Sequence, residues 1–146
     1  MCGHTLRRYA TSVRRPTVFS TAEKSRPMNV CYFEIPVADL ERAMRFYTAV
    51  FRVELEPANV DGHPMAYFPA TDAANRITGA LAQGDSYEPH HGGPRVYFKT
   101  DDIEATLARA VAAGGRVLYP VKSIGELGWV AEFEDSEGNC IALHAD

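Results

Sequence analysis

A chain of 146 residues has room for one domain with a sizeable core, or for two small packed halves, and not for two independent domains. Its 46% hydrophobic and 23% charged residues are ordinary globular values, and no apolar run approaches the roughly 20 residues that a membrane-spanning helix needs. The net charge of −4 hides an asymmetry: Arg7, Arg8, Arg14, Arg15, Lys24 and Arg26 against Glu23 give residues 1–27 a charge of +5, and the remaining 9 basic and 18 acidic residues give the body −9. A body of that sign disfavours nucleic acid, whose phosphates are held by Lys and Arg. Three cysteines, Cys2, Cys31 and Cys140, are an odd and sparse set that does not read as a disulfide framework, so reduced thiols and a cytoplasmic location are expected.

Residues 1–27 have no apolar periodicity, mix Arg pairs with Ser and Thr, and are expected to form a disordered basic extension outside the fold. That composition is similar to an organellar transit peptide, although Met28 directly before the first strand offers the plainer reading of an upstream start. Val30 to Val37 alternates as a strand, with Cys31, Phe33, Ile35 and Val37 on an apolar face and Tyr32, Glu34 and Pro36 on a wetter one. Asp39 is the expected N-cap of a helix running to Phe51, with Glu41 well placed against its dipole. Leu40, Ala43, Met44, Tyr47, Val50 and Phe51 form its apolar stripe. Strands are expected at Val53 to Pro57, Met65 to Phe68 and Ile77 to Ala82, with a tight turn at Asp61-Gly62.

The polar, Gly/Pro-rich residues 85–94 read as a linker between a first module, 28–84, and a second, 95–146. There the pattern repeats. Arg95 to Thr100 is strand-like, with Val96 and Phe98 opposite Arg95, Tyr97 and Lys99. A helix with the stripe Ile103, Leu107, Ala110 and Val111 closes at Gly114-Gly115. Strands at Val117 to Pro120, Trp129 to Phe133 and Asn139 to His144 complete it, the last two joined by a turn at 135–138. Setting Asp39-Leu40 over Asp102-Ile103 brings both halves into register without gaps, so the fold expected is α+β, built from two βαβββ modules.

The segments FEIPVADLERAMRFYTAVF, AAGGRVLYP and FEDSEGNCIALH resemble the vicinal oxygen chelate superfamily, which includes glyoxalase I, extradiol dioxygenases and bleomycin-resistance proteins. The combination of FEIP, ITGALAQG and IGELGW is similar to a small glyoxalase-like branch of bacterial proteins. The resemblance covers residues 28–146 and implies a curled, cup-shaped mixed sheet with the helices outside, the cup forming within one chain or across a homodimer. It also implies a divalent metal in the cup, acting as a Lewis acid on paired substrate oxygens. At the positions the family uses for ligands, this chain has Tyr32, Arg95, Ala142 and, on the third strand, Gly79 or Ala80. Alanine and glycine have no donor and Arg repels a cation, so no standard metal site is expected.

Tyr32, Arg95, Tyr97, Lys99, Glu132 and His144 are instead the candidate substrate-binding residues, and Glu34 the candidate catalytic base. Glu34 paired with Arg95 or Lys99 reads either as a site for an anionic substrate or as an ion pair holding the modules in register. Cys140 is a reactive thiol only if its surroundings are electropositive, and His63, His90 and His91 are surface histidines or a loop metal site. The function expected is binding of a small anionic or aromatic metabolite without a metal. The alternatives are a metal-dependent lyase, isomerase or dioxygenase with non-standard ligands, and a non-catalytic dimerising module.

Overall fold

The computed structural model describes residue 28, residues 30–70 and residues 78–146. The basic extension and Ile77 lie outside the described residues.

Each module opens where the apolar period changes. In the first, β1 covers Tyr32–Val37 and α1 covers Leu40–Phe51. Asp39 caps α1, its carboxylate accepting from the Arg42 amide at 2.9 Å. The helix ends at Arg52, which takes the left-handed conformation (φ 56°, ψ 44°) that glycine adopts more cheaply. Three strands follow: β2 Glu56–Val60, β3 His63–Tyr67 and β4 Thr78–Gln83. Asp61 and Gly62 both have positive φ (50° and 81°), the two-residue turn whose twist suits a hairpin. That turn sets the register, and β2 therefore starts at Glu56 rather than at Val53.

The second module repeats the plan with β5 Val96–Lys99, α2 Ile103–Ala112, β6 Arg116–Ser123, β7 Trp129–Glu134 and β8 Cys140–Ala145. Asp102 caps α2 as Asp39 caps α1, and Gly114 (φ 101°) turns the chain away. A 3-10 turn at Gly125–Leu127, which the apolar pattern does not signal, precedes β7. The sheet orders are β1-β4-β3-β2 and β5-β8-β7-β6, each with its first pair parallel and the others antiparallel. This is an α+β fold of two repeated modules with open sheets.

One core serves both modules. Ala43, Phe46, Tyr47 and Val50 of α1 pack with Ile35, Val37 and Leu81, and also with Ala131, Phe133, Ile141 and Leu143 of the second sheet. Because α1 meets both sheets, its fully buried face is shifted from the expected stripe: Phe46 joins it, 6.0 Å from Phe133, while Leu40, Met44 and Phe51 are only partly buried. In α2 the buried stripe is Ile103, Thr106, Leu107 and Ala110, leaving Val111 exposed instead of buried. Thr106 tolerates burial because its hydroxyl donates to the Asp102 carbonyl at 2.8 Å. Cys31, expected in the core, is exposed because it precedes the first paired residue of β1.

The last turn of the second module locks onto the first. Glu137 accepts from the Ala38 and Asp39 amides at 3.1 and 2.9 Å and forms a two-pronged pair with Arg42 at 2.8 and 2.9 Å. Asn139 donates to the Pro36 carbonyl, and buried Asp135 accepts the Tyr47 hydroxyl at 2.7 Å. Burial alone pushes the Glu137 carboxyl up, but Arg42 and the Asp39 amide outweigh it and hold it below the usual range.

Candidate functional site

Strand alternation that buries one face of each sheet leaves the polar residues together on the other. On the first sheet, Glu34, Ala80 and Tyr67 lie abreast on β1, β4 and β3. Tyr32 stands one step along, its ring 6.3 Å from that of Tyr67. Tyr87, from the connection between modules, reaches the same spot. Each oxygen of Glu34 then accepts one phenol, from Tyr32 at 3.1 Å and from Tyr87 at 2.8 Å. Tyr67 and Tyr87 pack over Met65, Ala80 and Ala82, all buried. Burial and the neighbouring Glu34 carboxylate push the Tyr32 phenol well above its ordinary range, and the hydrogen bond to Glu34 raises Tyr87. Both phenols therefore act as neutral donors.

On the second sheet, Tyr97, Ala142 and Glu132 lie abreast on β5, β8 and β7. The Arg95 guanidinium binds Glu132 at 2.6 Å and reaches the Cys140 sulfur. Burial raises the Cys140 thiol more than Arg95 lowers it, so the sulfur stays protonated and is a poor nucleophile. Lys99 pairs with Asp146 at 2.5 Å. His144 donates to the Leu127 carbonyl at 2.7 Å, which fixes its ring inside β8 rather than in a frayed terminus.

The expected pairing of Glu34 with Arg95 or Lys99 does not form. Arg95 is taken by Glu132 on its own sheet, Lys99 by Asp146, and Glu34 by two tyrosines. Among the described pairs, the ion pair that joins the modules is Arg42 with Glu137. The histidines are dispersed as well: His63 meets the Tyr87 ring, His91 binds Glu134 at 2.5 Å, and His90 accepts from the Gly92 amide. Of the family's ligand positions, Ala80 and Ala142 are fully buried without a donor, Gly79 lies under the Phe33 ring, and Arg95 is a paired cation. Among the described residues, no three of His, Cys, Asp and Glu stand close enough to share an ion. Such a donor set does not fit a divalent metal.

A cleft of about 380 Å³ lies between the modules, with Glu34 and Pro36 on one wall, Cys140 and Asn139 on the other, and His90 and His91 at its edge. A second, of about 480 Å³, is walled by Phe33, Phe51, Phe68 and Phe98 with Tyr97 and Lys99 beside them. Sequence reading missed Tyr67 and Tyr87. Tyr67 was detectable in principle from strand parity, but Tyr87 sits in an aperiodic connection and only the fold brings it to Glu34.

Comparison with known proteins agrees with this architecture. The family model for the Glyoxalase/Bleomycin resistance protein/Dioxygenase superfamily matches residues 30–143. A glyoxylase-like domain-containing protein of Didymella fabae is 32% identical over 114 residues, covering 75% of this chain and 88% of its own. The putative glyoxylase CFP32 of Mycobacterium bovis is 26% identical over 114 residues, which span 77% of this chain but only 43% of that protein. Among solved structures, TnmS3, an antibiotic binding protein from Streptomyces sp. CB03234, superposes with a TM-score of 0.60 at 27% identity, covering 82% of this chain and 96% of its own. The chain belongs to the Glyoxalase/Bleomycin resistance protein/Dioxygenase superfamily.

Proposed function

We propose that this protein binds a small, partly aromatic molecule on the outer faces of its sheets, without the divalent metal that many relatives of this fold use. One observation carries the reading: a carboxylate ringed by tyrosines, Glu34 with Tyr32, Tyr67 and Tyr87, occupies the face where the ligand positions have lost their donors. Tyrosines supply large, rigid contact area with a polar handle, which suits recognition of flat ligands. The likeness to an antibiotic binding protein supports a binding role over a catalytic one. Tyr97, Arg95, Glu132, Lys99 and His144 form a second polar face. The two faces share no hydrogen bond among the described residues, so a homodimer that apposes one to the other is part of the proposal. The cytoplasm remains the compartment proposed; among the described residues no helix is long and apolar enough to cross a membrane.

The test is a panel of aromatic metabolites and drug-like molecules scored by thermal shift in EDTA. Saturable stabilisation that Tyr32→Ala and Tyr67→Ala both remove is expected. No stabilisation by any compound, in a protein that stays folded, would refute the reading.

The rival is a lyase or isomerase in which Glu34 moves a proton beside a carbonyl. Both oxygens of Glu34 are occupied by phenol donors, so a substrate proton would reach either only by displacing a tyrosine. Turnover of the hemithioacetal of methylglyoxal and glutathione, lost in Glu34→Gln, would establish that rival instead.

A further inference from the structure

We infer that the tyrosine face of the first module selects an organic cation, an alkylated ammonium or a protonated amine on a small apolar body. This rests on the binding reading above and names the ligand class for it. Of the anionic or aromatic ligand expected from the sequence, it replaces the anionic alternative by a cation, and the reason is where the charges are already spent.

Strands β1 to β4 and residues 84–94 together contain Glu34, Glu56, Asp85 and Glu88 and not one Lys or Arg. Glu56 lies directly across from Tyr67 in the β2–β3 register, so the face carries a second carboxylate beside its aromatic rings. The described cations of this module, Arg42, Arg45 and Arg52, belong to α1 and its end, and Arg42 is held by Glu137. On the second sheet Arg95 is paired with Glu132, Lys99 with Asp146 and Arg116 with Glu134, while Lys122 stands over the Tyr119 ring at 5.9 Å. An anionic ligand at the tyrosine face would find no Lys or Arg on β1 to β4 or in residues 84–94 to receive it. A cation would meet a carboxylate whose described partners are neutral phenols.

The geometry also separates an organic cation from a metal ion. A metal needs several oxygen or nitrogen ligands converging on one point, and among the described residues no three of His, Cys, Asp and Glu do so at this face. A soft, weakly hydrated ammonium needs the opposite: ring faces within about 6 Å and one counter-charge. Tyr32 and Tyr67 stand 6.3 Å apart, Tyr87 closes the third side through its bond to Glu34, and Tyr32 and Tyr87 direct their protons to the carboxylate, leaving those two rings electron-rich. The spot is accessible, since Tyr32 and Glu34 are exposed and Glu34 forms part of the wall of the 380 Å³ cleft. Alkyl groups on the nitrogen would find that cleft's Phe33, Pro36 and Val96.

The experiment titrates the full chain with benzyltrimethylammonium, benzyl alcohol and phenylmethanesulfonate, three probes that share a ring and differ in charge, followed by NMR of the tyrosine rings. The expected result is saturable binding of the ammonium with shifts at Tyr32, Tyr67 and Tyr87, weakened about tenfold in Glu34→Gln and about threefold in Tyr67→Leu. Circular dichroism confirms that both variants fold. Equal binding of all three probes, preference for the sulfonate, or an unchanged affinity in Glu34→Gln would overturn the cation inference and leave the binding reading standing. Absence of saturable binding by any probe would overturn both.

Discussion

Replacing Glu137 by Ala isolates the contact that joins the two modules. Its side chain is fully buried in the folded chain and accepts the Ala38 and Asp39 amides, both prongs of Arg42 and the Ser136 hydroxyl. Hydrogen bonds to a charged group contribute about 1.5–3 kcal/mol each, but Arg42 is half exposed and water can reach the freed amides, so the bonds do not add. We expect a loss of about 3 kcal/mol, and Arg42→Ala, which removes only the exposed partner, should cost about 1 kcal/mol. For a domain of this size that is a fall of roughly 10 °C against roughly 3 °C, measured by calorimetry. A loss under about 0.5 kcal/mol in Glu137→Ala would refute the claim that this turn fixes the modules together.

The same residue sets an acid response. A carboxyl held below its ordinary value in the fold contributes stability that is present above its unfolded value of about 4.3 and is lost as pH falls through the folded one. The melting temperature should therefore drop on acidification below about pH 4, more shallowly in Glu137→Gln; parallel pH profiles would contradict this. Arg52→Gly should be neutral or stabilise by up to about 1 kcal/mol, because glycine takes the left-handed conformation without a Cβ clash; a clear fall in melting temperature would expose a specific contact of Arg52. Gly79→Ala should cost about 1–3 kcal/mol by urea titration, since the added Cβ would meet the Phe33 ring at 2.4 Å and that ring is packed against Phe68 and Phe98. Iodoacetamide should modify exposed Cys31 before Cys140, and faster labelling of Cys140 would show a reactive thiol.

The repeated strand-cap-helix unit was legible because its signals are local. Asp39 and Asp102 sit one residue before each helix, and the alternation in β1 and β5 assigns faces without knowledge of the partner. Phe46 was not legible, since its burial depends on Phe133 of the other module, and Val111 was misassigned because nothing in α2 itself marks the edge of its stripe. Candidate site residues were read by parity on their own strands, and the structure brings Tyr32 to Glu34 on the first sheet and Arg95 to Glu132 on the second. Who pairs with whom was not, because Arg95 with Glu132 follows from β5–β8–β7 packing and Tyr87 with Glu34 from the path of the connection. Glu137 read only as a turn residue, although it carries the contact between modules.

The most direct test of metal-independent binding is a titration of the protein with benzyltrimethylammonium, followed by NMR in EDTA and again after Ni²⁺, Zn²⁺, Mn²⁺ or Fe²⁺ is supplied in excess. The account predicts the same saturable shifts at Tyr32, Tyr67 and Tyr87, with the same affinity, in the presence and absence of metal. Binding that appears only with a divalent ion, or shifts that bypass these three tyrosines, would contradict it.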